Sequence, residues 1–442
     1  MRYVRLGSGI LIVILLAGFW YAKPLLEVGT GYAAKMACSC HYLQGRSLDD
    51  IHAADLNFSA LALMDLELLP EEKGVEASLY GLISQQAQFV EGRGCVLVVD
   101  SGSSIPAPIA PPQIQLAAKP LPTYDTLPSG LDQALLESAL DNAFSPLPGG
   151  GTRAVVVLHD GHLVGEAYAD GFSADTPLLG WSMTKSITNA LVGILVKNGK
   201  LDVDQKNVFA EWAEDDRAEI KLADLLHMNS GLEWDEQYGD VSDATHMLYR
   251  EPDMAAYTRA KPLAFTPNTH WVYSSGTSNL LSKVVRNAIN DDNAYATFAR
   301  DSLFLPLGMH SARIEVDQSS SYVGSSYGWA TARDWARFGQ LYLDNGEVDG
   351  YQLLPENWVD YSIQPAAGSD GIYAAQIWLP HPDELTDVPE DLYMFRGFQD
   401  QRIAMIPSRN CVIVRLGMND DQIFPLQNFL TEVLAALPPE GE

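Results

Sequence analysis

Two pairs of strand-like segments, far apart in the sequence, most constrain the fold of this chain. Ala154–Leu158 and Leu163–Tyr168 flank His159–His162, whose central Asp-Gly is a strong hairpin signal. Arg402–Ile406 and Cys411–Leu416 form the second pair, and the patterns between the two pairs are mostly helical. Strands at both ends of a region with helices between them indicate an antiparallel sheet interrupted by a helical insertion. The predicted class is therefore mixed α/β of the α+β kind, with an antiparallel sheet flanked by helices.

Composition divides the 442 residues into four parts. Residues 1–23 are an N-terminal apolar segment, and residues 24–104 are predicted to form a small N-terminal domain. Residues 105–130 are rich in proline, which favours extended backbone and is typical of a semi-rigid linker. The main domain is predicted over residues 131–442.

The N-terminal segment has the pattern of an export signal. Arg2 and Arg5 precede an apolar run over residues 6–22, which Lys23-Pro24 closes. Trp20 spoils a small-x-small cleavage site near the end of this run, which favours an uncleaved signal anchor over a cleaved signal peptide. We therefore expect a periplasmic protein attached to the inner membrane by residues 6–22, or a secreted one if the segment is cleaved.

The charge of the chain excludes one class of partner. Its 28 basic and 57 acidic side chains give a formal net charge of −29. Proteins that bind nucleic acid need a basic surface to neutralise phosphates, so nucleic acid is not an expected partner.

The four cysteines fit an oxidising compartment. One disulfide is expected, from Cys95 to either Cys38 or Cys40, and Cys411 is expected to be a buried, free thiol. A metal site is disfavoured, because Cys38-x-Cys40-His41 lacks a matching second pair of ligands.

Ser182-Met183-Thr184-Lys185 places a nucleophile and a base one helical turn apart. An apolar series with helical spacing follows and ends at Gly199, which indicates a buried helix with a C-terminal glycine cap. Lys185 can activate the Ser182 hydroxyl only when the lysine is neutral, and burial on this helix would lower its pKa. The alternative from this motif alone is a serine that caps a helix and a solvated lysine.

Two later segments support the catalytic interpretation. Tyr273-Ser274-Ser275 precedes an amphipathic helix, where the phenol could relay a proton to or from a reacting group. The segment from Arg396 to Gln401 runs into the strand Arg402–Ile406, whose edge could offer a backbone N–H to an oxyanion.

With these elements in order, the chain resembles the serine β-lactamase and penicillin-binding-protein superfamily. It is most similar to the β-lactamase-related hydrolases that include 6-aminohexanoate-dimer hydrolase and carboxylesterases. The resemblance covers roughly residues 130 to 437 and implies a β-lactamase/transpeptidase-like fold. Four motifs carry it: Gly180–Ser186, Leu225–Leu232, Tyr273–Gly276 and Ala332–Gly339.

The resemblance implies a role for each candidate site residue. Ser182 is the nucleophile, Lys185 its base, and Tyr273 the group that protonates the leaving group with support from Ser275. The backbone N–H groups of Ser182 and Gln401 would form the oxyanion hole. No metal or organic cofactor is implied, and the expected partner is a small-molecule ester or amide.

The third family motif departs from its usual form. Family members usually have Lys-Thr-Gly or His-x-Gly there, whereas this chain is expected to have Phe398-Gln399-Asp400 at that position, with Gln399 as a substrate-binding candidate. The loss of a cation at Phe398 disfavours β-lactamase or transpeptidase activity and favours an ester or small amide. The alternative is a weak or inactive penicillin-binding-like protein that binds a cell-wall fragment or a protein partner.

Overall fold

The computed structural model describes residues 2–111, 119–381 and 383–439, with side chains from residue 17 onward. Residues 112–118 of the predicted linker lie outside the described residues. The helices are α1 Arg2–Gln44, α2 Leu48–Asp55, α3 Gln133–Asn142, α4 Thr184–Lys197, α5 Leu222–Leu226, α6 Asp243–Arg250, α7 Met254–Arg259, α8 Ser275–Ile289, α9 Asp292–Ala299, α10 Ala332–Leu343, α11 Trp358–Ser362 and α12 Leu426–Ala436. The strands are β1 Asp65–Leu69, β2 Gly74–Leu79, β3 Ile83–Val90, β4 Gly94–Val98, β5 Gly151–His159, β6 His162–Tyr168, β7 Leu178–Leu179, β8 Arg313–Ile314, β9 Gly328–Ala330, β10 Glu347–Val348, β11 Tyr351–Gln352, β12 Tyr393–Gly397, β13 Gln401–Ile406 and β14 Cys411–Met418.

The central sheet joins strands from both ends of the main domain. Its order is β12-β13-β14-β5-β6, and every neighbouring pair is antiparallel. Alternate residues of β5 face opposite sides, as in any strand: Val156 packs in the core with α4 and α10, and Val157 packs in the core with α3 and α12. The predicted antiparallel sheet with an inserted helical region is confirmed.

The helix that follows Ser182 forms as its pattern predicts. α4 spans Thr184–Lys197 and is buried along nearly its whole length, from Thr184 to Leu195. Gly199 then adopts a φ of +67°, a backbone conformation that glycine tolerates best, and this ends the helix.

The N-terminal region shares a core with the main domain. Strands β1 to β4 form an antiparallel sheet in sequence order that packs with α1. The same cluster of buried side chains includes Trp181, Leu248 and Trp329 of the main domain. The linker also lies against that domain, since Leu121 is buried in its largest core.

A buried ion pair joins the two regions. Lys35 of α1 pairs with Glu315, and their side chains are 1% and 0% exposed. Glu315 also accepts hydrogen bonds from the Ser39 hydroxyl at 2.9 Å, the Cys95 N–H at 2.6 Å and the Trp329 indole N–H at 2.8 Å. The ion pair and these hydrogen bonds offset the cost of removing the carboxylate from water.

A disulfide fastens the same helix to the N-terminal sheet. Cys38 of α1 is bonded to Cys95 of β4, one of the two predicted pairings, and both Cys40 and Cys411 are buried free thiols. α1 continues through Pro24, so the predicted boundary at residue 23 does not coincide with a helix end. Among the described residues, no helix has the length and apolar composition needed to cross a membrane.

Candidate active site

Ser182 lies in a tight turn between a strand and a helix. β7 ends at Leu179, a single 3-10 turn spans Trp181–Met183, and α4 follows. Trp181 has a φ of +47°, which is costly for a bulky residue and occurs where the surroundings hold the backbone in place. Here a side chain at Gly180 would come within 2.4 Å of the Trp335 ring, so the turn is packed without spare room.

Lys185 contacts Ser182 directly. Its Nζ lies 3.1 Å from the Ser182 Oγ, 3.0 Å from the Ser275 Oγ and 3.0 Å from the Ser325 carbonyl oxygen. The side chain is buried, and this desolvation lowers the lysine pKa to about 8, although the Glu236 charge acts in the opposite direction. A lysine with this pKa is partly neutral in mildly alkaline solution and can accept the serine proton.

Tyr273 completes the group. Lys185 Nζ lies 4.9 Å from the centre of the Tyr273 ring. Burial raises the pKa of the phenol and the Glu236 charge raises it further, while a hydrogen bond with Ser182 and the Arg396 charge oppose the rise. The phenol is therefore protonated at neutral pH and is suited to donate a proton.

Glu236 belongs to the same cluster, although the sequence analysis did not identify it. Its carboxylate accepts hydrogen bonds from the Ser275 N–H at 2.8 Å, the Ser275 hydroxyl, the Trp234 indole and the Tyr238 phenol. Ser182, Lys185, Ser275 and Glu236 thus form one continuous chain of contacts. Glu236 is not part of a sequence motif and lies in a loop with several other acidic residues. Only its position in the fold distinguishes it from those carboxylates.

The strand beside the nucleophile is β12, which the sequence analysis did not predict. β12 is the edge strand of the central sheet, and Gly397 at its end approaches the turn that carries Ser182. A Cβ at Gly397 would lie 2.1 Å from the Gly180 carbonyl oxygen, so only glycine fits there. The glycine that permits close approach is therefore Gly397, and the third motif ends there and not at Asp400.

The positions of Gln401 and Gln399 differ from the sequence prediction. Gln401 begins β13, which lies between β12 and β14 and is therefore not the edge strand of the sheet. Its side chain amide donates to the Gly417 carbonyl at 2.6 Å. The Gln399 side chain accepts a hydrogen bond from the Trp181 indole at 3.2 Å. Gln399 therefore braces the turn around Ser182, whereas Gln401 braces the hairpin between β12 and β13.

Asp400 has a structural partner and does not face Ser182. Its carboxylate pairs with the Arg402 guanidinium at 2.6 Å and accepts from the Asn419 amide at 2.7 Å and the Phe424 N–H at 3.0 Å. The Asp400 charge is therefore neutralised by Arg402, close to the hairpin turn that contains Asp400.

The main domain of the chain is similar in sequence to known proteins. The family model described as Beta-lactamase matches residues 140–422. The 6-aminohexanoate-dimer hydrolase of Paenarthrobacter ureafaciens is 27% identical over 296 residues, which cover 60% of this chain and 72% of that protein.

Solved structures share the fold. A Bacillus anthracis protein provisionally named 6-aminohexanoate-dimer hydrolase aligns with a TM-score of 0.56 and 22% identity, over 68% of this chain and 81% of that one. A penicillin-binding-protein homologue from Caulobacter crescentus aligns with a TM-score of 0.55 and 16% identity, over 71% and 98%. The chain therefore belongs to the Beta-lactamase family, and its fold is that of the serine β-lactamases and penicillin-binding proteins.

Proposed function

We propose that the protein is a serine hydrolase that cleaves an ester or small amide through an acyl-serine intermediate. The observation that carries this proposal is the buried Lys185 Nζ, 3.1 Å from the Ser182 Oγ and lowered in pKa to about 8. A nucleophile in contact with a base that is partly neutral near physiological pH is the arrangement that nucleophilic catalysis requires.

The contacts support the following reaction. The Ser182 Oγ attacks the substrate carbonyl carbon while Lys185 takes the hydroxyl proton. When the bond to the leaving group breaks, Tyr273 gives that group a proton and regains one from Lys185. Water then attacks the acyl carbon while Lys185 takes one of its protons, and Lys185 gives that proton to the Ser182 Oγ when the ester bond breaks and the carboxylic acid is released.

The oxyanion would be held by backbone N–H groups beside the nucleophile. Ser182, in the 3-10 turn just before α4, supplies one, and helix N-termini favour negative charge. The Phe398 N–H is the better second donor, in place of Gln401, because it follows Gly397 at the edge of the sheet. Each such donor contributes about 3 kcal/mol to transition-state stabilisation in related chemistries.

Phe398 supports the preference for esters and small amides. Its ring stands at the turn next to Trp181, with ring centroids 5.8 Å apart, and presents an apolar surface to the substrate beside Ser182. Export is also proposed: the Cys38–Cys95 disulfide supports an oxidising compartment, with residues 6–22 as the membrane anchor or signal.

Covalent labelling tests the reaction. The purified full-length protein is incubated with a fluorophosphonate, a β-lactam and p-nitrophenyl acetate, and its intact mass is measured. We expect label on Ser182 and ester turnover, both lost in Ser182→Ala. Absence of both in the unaltered protein would leave the binding-protein alternative.

Lys185→Ala separates catalysis from stability. We expect acylation to fall by about 10²–10⁴-fold, as for loss of a general base, while the free energy of unfolding changes by only about 1–2 kcal/mol. Lys197→Ala, an exposed lysine at the end of the same helix, is the control and should change neither. Parallel losses of activity and stability in Lys185→Ala would show that this lysine is structural.

A further inference from the structure

A cavity of about 350 Å³ opens beside Ser182, and the N-terminal region builds one of its walls. Trp181, Ser182 and Phe398 line it on the side of the main domain. The opposite wall comes from α1 and from the 3-10 turn Ser59–Leu63. Both of these segments lie outside residues 140–422, which match the family model.

The lining of this cavity is mainly apolar. Its wall includes Leu26, Val28, Leu61, Met64 and Leu248, and none of the lining residues is a lysine or arginine. Asp240 is the one carboxylate among them, and it is exposed. An apolar lining without a cation favours an uncharged hydrocarbon chain and disfavours an anionic group.

The position of Tyr273 indicates which part of the substrate enters. In the proposed reaction Tyr273 protonates the leaving group, so that group lies next to the phenol. Tyr273 does not line the cavity, whereas Ser182 does. The cavity therefore extends from the acyl side of the bond that is cleaved.

The cavity also has an apolar entrance. Leu25 and Phe58 belong to its lining and are 46% and 36% exposed. Solvent-exposed apolar residues at the mouth of an apolar pocket allow a hydrocarbon chain to enter without crossing a polar barrier.

We propose, on the basis of the proposed function, that the substrate carries an uncharged acyl chain of medium length, which lies in this cavity between Ser182 and α1. The cavity volume is at the lower end of the range for small-molecule sites, which suits one such chain. The N-terminal region thus acts as the part of the enzyme that selects the acyl group.

Chain-length dependence of hydrolysis tests this assignment. The full-length protein is assayed with p-nitrophenyl acetate, butyrate, octanoate and dodecanoate below their micelle concentrations. We expect kcat/KM to rise at least about tenfold from acetate to octanoate. A profile that is flat, or that falls steadily from acetate, would overturn the proposal.

Two leucines of one turn provide a matched pair of variants. Leu61 lines the cavity, and Leu63, two residues later, does not line it and is 53% exposed. Leu61→Asp should lower the octanoate-to-acetate ratio of kcat/KM about tenfold or more, because a carboxylate then faces the acyl chain. Leu63→Asp should keep the wild-type ratio, and equal ratios in the two variants would contradict the assignment.

Leu61→Trp is a second test of the cavity in case the charged variant Leu61→Asp does not fold. It keeps the wall apolar but fills space, so the preferred ester should become shorter, with thermal unfolding measured in parallel. An unchanged chain-length preference in a folded Leu61→Trp protein would also count against the proposal.

A binding measurement separates this inference from the proposed function. Ser182→Ala protein is titrated with N-methyloctanamide and N-methylacetamide in a calorimeter. Tighter binding of the octanamide, weakened by Leu61→Asp, supports the acyl pocket even if no ester is hydrolysed. Ester hydrolysis without chain preference or octanamide binding would refute the acyl pocket and leave the hydrolase proposal standing.

Discussion

Burial lowers the pKa of Lys185 to about 8, and this value sets the expected pH dependence of activity. The base form is the neutral amine, so activity is gained as pH rises and the proton is lost. We predict that kcat/KM for p-nitrophenyl acetate increases with pH and reaches half its maximum near pH 8. The measurement is a pH–rate profile corrected with Ser182→Ala, and a rate that falls through this range would contradict the role of Lys185.

Glu236 should affect the midpoint of this pH–rate profile. Its negative charge raises the pKa of Lys185 against the effect of burial. Glu236→Gln removes the charge but keeps the side chain's shape, so the midpoint of the pH–rate profile should move to lower pH. The control is Glu233→Gln, an exposed carboxylate in the same loop, which should leave the midpoint in place. An unchanged or higher midpoint in Glu236→Gln would contradict the proposed electrostatic coupling.

The sequence predicts those candidate site residues that lie close together in the chain, at spacings typical of a catalytic motif. Ser182 and Lys185 are three residues apart, and Ser275 lies two residues after Tyr273. Local sequence patterns were therefore sufficient to predict these residues as site candidates. Glu236 carries no such mark, because its contact with Ser275 depends on how two loops meet in space. The sequence predicts a strand edge at Gln401, but β13 lies between β12 and β14, because the strand order depends on pairings that local patterns do not encode.

The edge strand and the nucleophile turn form the critical contact between elements. Gly397→Ala would place a methyl group against the Gly180 carbonyl and displace the turn. We predict a loss of kcat/KM of about 10²-fold, since small displacements of reacting groups have such effects, with about 1–3 kcal/mol of destabilisation. The assays are ester turnover and urea unfolding.

Gly151→Ala in β5 is the matched control for this prediction. No atom lies within 4 Å of a Cβ built at Gly151, so activity and stability should be retained. Comparable activity in the two alanine variants would show that β12 does not hold the turn in place.

The sequence does not predict β12, and the turn that follows this strand explains why. Its hairpin turn to β13 contains Gln399 and Asp400, both with a φ of +60°. Turns of this kind usually contain glycine or asparagine, and neither marks this one. The strands with ordinary turn signals, such as the Asp-Gly hairpin between β5 and β6, were placed correctly.

At the scale of the whole molecule, the buried pair of Lys35 and Glu315 ties the N-terminal region to the main domain. Lys35→Met would leave the Glu315 carboxylate buried without its cation. We predict a loss of about 3–5 kcal/mol in the free energy of unfolding, measured in urea.

An exposed ion pair provides the control for the stability loss expected in Lys35→Met. Lys206 lies 2.6 Å from Glu219, with the two side chains 45% and 67% exposed. Lys206→Met should cost about 0–1 kcal/mol, as exposed pairs usually do. If the two lysine variants lost the same stability, the buried pair would not be what couples the regions.

The same ion pair has a consequence for the order of events during synthesis. Lys35 and Glu315 are 280 residues apart in the chain. Ribosomes add about 5–20 residues per second, so α1 waits roughly 15–55 s for its buried partner. Until then the lysine lacks its buried counter-charge, so α1 can complete its packing against the main domain only after Glu315 has been made.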